Sequence, residues 1–158
     1  MKVSVICVGK LKEKFYIEAV AEYKKRISRF AELEIIELPD ERIPENASPA
    51  EAEAVKKREG ERILAKIKPQ SYVISLCVEG KLLSSEGLAE EISRATLMTS
   101  RIVFIIGGSL GLSDEVKAAS SLRLSFGRMT LPHMLMRVVL AEQIYRAFMI
   151  NSGAAYHK

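Results

Sequence analysis

The hydrophobic positions of this chain recur with two different spacings, which alternate from one segment to the next along the sequence. A spacing of two, or a short unbroken apolar run, predicts strands over residues 2–9, 33–38, 72–78, 101–106 and 122–126. A spacing near 3.6 predicts helices over residues 11–30, 48–67, 84–99, 113–120 and 132–150. Strands that alternate with helices five times predict an α/β fold, with a parallel sheet and helices on both of its faces. The run at 72–78 is almost wholly apolar, so we expect that strand to be central.

Local signals refine this picture only slightly. Ser48 precedes the second helix, and Glu51 follows it by three positions, which is the spacing of a capping box. No linker-like composition divides the chain, so we expect residues 1–158 to form a single domain. A chain of this length buries roughly 70% of its unfolded surface and needs no disulfide or metal to fold.

Composition excludes several classes of protein. No apolar run approaches the ~20 residues of a membrane span, and the first strand, followed by charged residues, does not resemble a signal peptide. Cys7 and Cys77 lie in apolar strands, where small core residues are expected. With only two histidines we expect no metal site, and we expect a cytoplasmic location.

The net charge of +4 is unevenly distributed. The first 100 residues carry 17 basic and 17 acidic side chains, whereas the last 58 carry 7 and 3. The whole excess therefore lies in the C-terminal part, which points to an anionic partner for that end.

The loop after the fourth predicted strand contains Gly107, Gly108 and Gly111. Ligands of parallel sheets bind beyond the carboxyl ends of strands, so this loop is a candidate site. It lacks the G-x-G-x-x-G and P-loop patterns, and Asp114 and Glu115 open the next helix, where they would repel a phosphate. A neutral or cationic nucleoside and a tight turn without a ligand both remain open as explanations.

The segment after the fifth predicted strand carries Gly127, Pro132 and His133. Pro132 is suited to the first position of the last helix, whose dipole disfavours protonation of His133 in its first turn. If the fourth and fifth strands are neighbours, the two glycine-bearing loops converge on one pocket.

The last helix is apolar on several faces, which predicts burial against its own sheet and against a partner subunit. Glu142 and Arg146 have the i, i+4 spacing of an ion pair. Arg137 has no acidic residue three or four positions away, so we expect it to be free for a substrate phosphate. In the tail, Tyr156, His157 and Lys158 combine a stacking ring, a proton acceptor and a cation.

Several short motifs together resemble one family. They are IIGGS (105–109), LSF (124–126), MTLPH (129–133), MRV (136–138), EQIYRA (142–147) and YHK (156–158). They are similar to the RlmH family of small SPOUT-class methyltransferases that act on ribosomal RNA of the large subunit. The resemblance extends to VGK (8–10) and to essentially the full length of the chain.

The resemblance implies a SPOUT-type fold with a deep C-terminal trefoil knot, a homodimer, and S-adenosylmethionine as cofactor. It implies methylation of N3 of pseudouridine 1915 in 23S rRNA of the assembled ribosome. By family position, the residues that line the cofactor pocket are Leu76, Gly107, Gly108, Phe126, Gly127, Arg128, Met129, Thr130 and Leu131. We expect His157 to remove the N3 proton, and Tyr156 to stack on or orient the uracil ring, in the pocket of the partner subunit.

RNA phosphates are expected to meet Arg137, Lys158 and Lys10, with Arg128, Lys12 and Lys14 as further candidates. Three alternatives stay open: a SPOUT methyltransferase of a tRNA nucleoside, a ribosome-binding module without catalysis, and a nicotinamide-dependent oxidoreductase. The missing dinucleotide fingerprint disfavours the last of these.

Overall fold

The structure, a computed structural model, describes residues 1–158. Its strands are β1 (Lys2–Val8), β2 (Glu32–Leu38), β3 (Tyr72–Leu82), β4 (Arg101–Ile106) and β5 (Leu122–Ser125). Its helices are α1 (Lys14–Ile27), α2 (Pro49–Lys66), α3 (Ser85–Met98), α4 (Asp114–Ala118) and α5 (His133–Asn151). All strand pairs are parallel, which confirms the predicted α/β class with five strands and five helices.

The strand order is β2-β1-β4-β3-β5. The strand predicted at 72–78 lies inside the sheet between β4 and β5, as expected, although the middle position belongs to β4. β4 is buried along five of its six residues, whereas β3 is fully buried only from Val73 to Ser75. β3 continues to Leu82, beyond the predicted end, because Lys81 and Leu82 pair with β5 after an irregularity in register.

Helices cover both faces of the sheet. One face packs against α1, α3 and α5 in a cluster that includes Ile27, Ile92 and Ile144. The other face packs against α2 and α4 through Ile63 and Val116. These two cores fix the sheet, and α5 is held between α1 and α3.

Two local predictions can be checked directly. Ser48 Oγ accepts a hydrogen bond from the Glu51 amide at 3.2 Å, which confirms the helix cap. Cys7 is buried, Cys77 is half-buried, and no disulfide joins them. α1 begins at Lys14 rather than at residue 11, because Gly9 turns the chain at a φ of 93° and the following residues form a loop.

Candidate functional site

The segment 126–132 crosses the carboxyl edge of the sheet. The segment begins at β5, which is an outermost strand of the sheet, and it ends at the start of α5. There α5 lies against the end of β1, where Arg137 donates to the Val8 and Gly9 carbonyls. β3 and β4 lie between β5 and β1, so the fourth and fifth strands are not neighbours, and the condition for their two loops to converge on one pocket is not met. The segment 126–132 therefore runs from the β5 side of the sheet to the β1 side, across the positions of β3 and β4.

Two of the glycines lie where a side chain would crowd neighbouring atoms of the chain. A Cβ on Gly107 would lie 2.9 Å from Leu112 Cδ2, and one on Gly108 would lie 3.1 Å from Glu59 Oε1. The Gly111 amide also donates to the Gly108 carbonyl at 3.0 Å, closing a tight turn. The tight-turn explanation therefore accounts for this loop without a ligand.

Gly127 is different. Its φ is 120°, and no atom lies within 4 Å of the position that a Cβ would take. Ser125 Oγ accepts from the Gly127 amide at 3.2 Å and donates to the Val78 carbonyl at 2.8 Å, which holds the turn. The backbone at Gly127 is thus fixed and open to an approaching molecule.

The side chains around Gly127 are exposed and largely apolar. Phe126, Met129 and Leu131 are 38%, 87% and 39% exposed, and Arg128 forms no ion pair. Clustered apolar groups of this kind mark ligand or partner surfaces more often than isolated ones do. The segment offers apolar contact and open backbone, with one free guanidinium.

A cavity of about 290 Å³ lies beside this edge, lined by residues that include Val8, Asp40, Glu59, Gly108, Ser109 and His133. Burial, and secondarily the charge of Arg137, lowers the pKa of His133, so its ring is neutral at pH 7. His133 Nδ1 is buried without a hydrogen-bond partner. The predicted position of His133 in the first turn of the last helix is confirmed, and burial is the largest cause of its shifted pKa.

Glu59 was not assigned a role from the sequence. It is 5% exposed, accepts from the Glu41 amide at 3.1 Å, and has a pKa raised by burial. The available signal was its spacing, since Val55, Glu59 and Ile63 lie four residues apart on the buried face of α2. A carboxylate at such a position is costly unless it has a partner or a ligand.

Arg137 is not free. Its side chain is 1% exposed, and its Nη1 pairs with Glu37 Oε2 at 2.8 Å. The expectation of an unpaired Arg137 was wrong, because the acidic partner comes from β2, 100 residues earlier in the chain. The guanidinium of Arg137 is therefore too deeply buried in this structure to contact an RNA phosphate.

The expected pair of Arg146 and Glu142 is confirmed, with Nη2 and Oε1 2.7 Å apart. The tail folds back onto this pair. Tyr156 donates its hydroxyl to Glu142 Oε1 at 3.2 Å and lies edge-on to Tyr145, with ring centroids 4.9 Å apart. The Arg146 Cζ atom lies 4.7 Å from the centre of the Tyr156 ring.

His157 is held through both ring nitrogens. Nδ1 lies 3.1 Å from Arg146 Nη1, and Nε2 lies 2.7 Å from Glu86 Oε1. Because a guanidinium only donates, Nδ1 accepts from Arg146 and Nε2 carries the proton donated to Glu86. Neither nitrogen is free to take another proton until the contact with Arg146 opens.

Among the predicted RNA contacts, Lys10 and Lys158 are exposed and form no ion pair. Lys12 is likewise unpaired, whereas Lys14 lies 3.7 Å from Glu18. The chain has no group of three or more potential metal ligands, and none of its helices has the length and hydropathy of a membrane span.

Comparison with known proteins gives matches over the whole chain. A family described as "Predicted SPOUT methyltransferase" matches residues 1–157. A protein of Lactobacillus delbrueckii subsp. bulgaricus named ribosomal RNA large subunit methyltransferase H is 57% identical over 159 residues, covering 100% of both chains. A protein of the same name from Lactococcus lactis subsp. cremoris is 58% identical with the same coverage. The matched region includes the glycine loops, α5 and the tail.

Proposed function

Because this chain belongs to the SPOUT methyltransferase family, we propose that it is an S-adenosylmethionine-dependent methyltransferase of large-subunit ribosomal RNA. Its target is N3 of pseudouridine 1915 in 23S rRNA of the assembled ribosome, as the resemblance to the RlmH family implies. The observation that carries the proposal is the full-length similarity to two proteins named for this rRNA activity. Residues 1–158 then form one catalytic domain.

The residues at the carboxyl edge fit the cofactor. S-adenosylmethionine supplies a methyl group on a sulfonium, whose thioether leaves without needing a proton. Phe126, Met129 and Leu131 offer apolar side chains to the adenine ring, and Gly127 offers open backbone. Leu76, Gly107, Gly108, Arg128 and Thr130 complete the set. Asp114 and Glu115 do not oppose a ligand that lacks phosphate.

The target base is placed in the cavity between Gly108 and His133. The volume of the cavity, about 290 Å³, lies close to the lower end of the range for small-molecule sites, ~300–1,000 Å³. That size fits one nucleoside rather than a dinucleotide, which disfavours the oxidoreductase alternative. The position beside Gly108 brings the base next to the cofactor residues, and orientation of this kind contributes up to ~7–11 kcal/mol to catalysis.

Deprotonation of N3 is assigned to His157. With Nε2–H donated to Glu86, the proton goes to Nδ1 after Nδ1 separates from Arg146. Tyr156 is placed on the uracil ring, which also requires the tail to leave its contacts with Glu142. Both movements free the tail, and a tail that acts in the pocket of a partner subunit leaves Glu86 as well.

The same proposal includes a homodimer, the C-terminal trefoil knot and action in the cytoplasm, on the ribosome. The exposed apolar side chains at the carboxyl edge, among them Val78 and Leu82, support a partner surface there. The path of segment 126–132 across the ends of β3 and β4 supports a threaded chain.

Mass spectrometry of rRNA and tRNA nucleosides from a deletion strain tests the function. Loss of N3-methylpseudouridine from 23S rRNA, restored by the wild-type chain, is the expected result. A lost tRNA modification would instead identify the tRNA alternative, and no lost modification would identify the non-catalytic module. Calorimetry with S-adenosylmethionine and with NAD separates the oxidoreductase, which would bind only the latter.

A further inference from the structure

The guanidinium of Arg137 donates hydrogen bonds to three acceptors. Nη2 donates to the Gly9 carbonyl at 2.7 Å and to the Val8 carbonyl at 3.1 Å, and Nη1 donates to Glu37 Oε2 at 2.8 Å. Planar fork geometry of this kind is specific to arginine, since a lysine ammonium is a point charge on a flexible stem. One side chain of α5 thereby ties together the ends of β1 and β2.

The same network fixes the loop that follows β1. Glu37 Oε2 also accepts from the Leu11 amide at 2.7 Å, and the Gly9 amide donates to the Leu38 carbonyl at 2.7 Å. Both chain neighbours of Lys10 are therefore hydrogen-bonded, while the Lys10 side chain is exposed. The backbone of Lys10 has a defined position relative to α5.

The hydrogen bonds of Arg137 contribute more to the position of the loop after β1 than to the stability of the fold. Burying the guanidinium of Arg137 costs its hydration, and replacing a buried charge and its partner by apolar residues is often neutral or stabilising. Arg137 Nε is, in addition, a buried donor without a partner, which is a further cost. A role in geometry explains the buried charge better than a role in stability does.

We propose that Arg137 is a positioning residue that sets Lys10, as a contact for an RNA phosphate, at a fixed distance from the segment 126–132. Arg137 lies one turn inside α5, which begins directly after that segment. The inference rests on the proposed function, because it assigns the loop to ribosomal RNA. Its consequence is that a phosphate bound by Lys10 places the target base in register with the cofactor residues.

The test compares R137K with wild type, using purified ribosomes and S-adenosylmethionine. Because a misplacement of ~1 Å can cost ~10²-fold in rate, kcat should fall ~10–100-fold, with KM for ribosomes and affinity for S-adenosylmethionine within about threefold. K10A should lower kcat by a similar factor, because the contact that sets the register is lost, and it should raise KM as well. In the K10A background R137K should lower kcat by much less, because the contact that Arg137 positions is already missing. R26K, in the exposed Arg26–Glu22 pair, is the matched control and should match wild type.

Equal losses of kcat from R137K in both backgrounds would overturn the proposal, as would a loss confined to cofactor affinity. If R137K does not fold, E37Q weakens the same network from a side chain that is 34% exposed. Hydrogen exchange of residues 9–13 should then accelerate while β4 stays protected, and unchanged exchange in the loop would refute the proposal. A wild-type protein that transfers no methyl group to ribosomes would overturn the proposed function, while the exchange measurement would still decide whether the network holds the loop.

Discussion

Replacing His157 with alanine should remove methyl transfer without removing the fold. The side chain contacts only Glu86 and Arg146 through hydrogen bonds, and Glu86 is exposed, so a small change in thermal stability is expected. A positioned proton acceptor contributes ~10²–10⁴-fold to rate, and kcat should fall by that factor. Affinity for S-adenosylmethionine should stay within about twofold, because the predicted cofactor residues lie in other loops.

The assay is single-turnover transfer of a labelled methyl group to ribosomes at saturating cofactor, with calorimetry for cofactor binding. Y156F is the matched control, because it keeps the ring against Tyr145 and loses only the hydroxyl that donates to Glu142. It should retain transfer within a few-fold. The reasoning fails if H157A transfers methyl at the wild-type rate, or if it loses cofactor binding.

Three further predictions concern the carboxyl edge. G127A should cost about 1–2 kcal/mol, since a Cβ there meets no atom and only backbone strain opposes it; a calorimetric Tm equal to wild type would contradict this. K10A should raise KM and reduce the slope of log affinity for ribosomes against log salt by ~0.7–0.9, whereas an unchanged slope would exclude a phosphate contact. Because the pKa of His133 is lowered in the folded state, the unfolded chain binds a proton first as pH falls below ~6.5, and stability falls there. In H133L the free energy of unfolding, measured by urea titration, should depend less steeply on pH between pH 5 and 7. An equally steep dependence would show that groups other than His133 cause the loss of stability.

Features set by neighbours in the chain could be predicted from the sequence. β4 has the predicted bounds of residues 101–106, Ser48 caps α2, and Arg146 pairs with Glu142. Each depends on spacings of two, three or four residues, which secondary structure converts directly into contacts.

Features set by tertiary packing could not be predicted in this way. The partner of Arg137 is Glu37, 100 residues away, and no helical spacing can indicate it. The place of β3 between β4 and β5 likewise depends on the crossover of the chain and not on the apolar pattern of the strand. His157 was predicted as a free base, whereas both of its nitrogens are engaged, because the tail folds onto α5.

The charge asymmetry acquires a different meaning once the ion pairs are known. Of the seven cations in residues 101–158, Lys117, Arg137 and Arg146 are paired, the first two with Glu79 and Glu37 from the neutral first part of the chain. Arg101 begins β4 and so lies at the opposite edge of the sheet. Arg123 lies within β5, so Arg128 and Lys158 are the two of the seven that remain for phosphates, and Lys10 and Lys12 add two more from the loop after β1. With so few contacts, electrostatics alone gives weak, salt-sensitive affinity for any RNA strand, so selective binding requires a substrate whose shape engages several of them at once. Under the proposed function, a folded ribosomal surface would meet that requirement better than a free RNA strand.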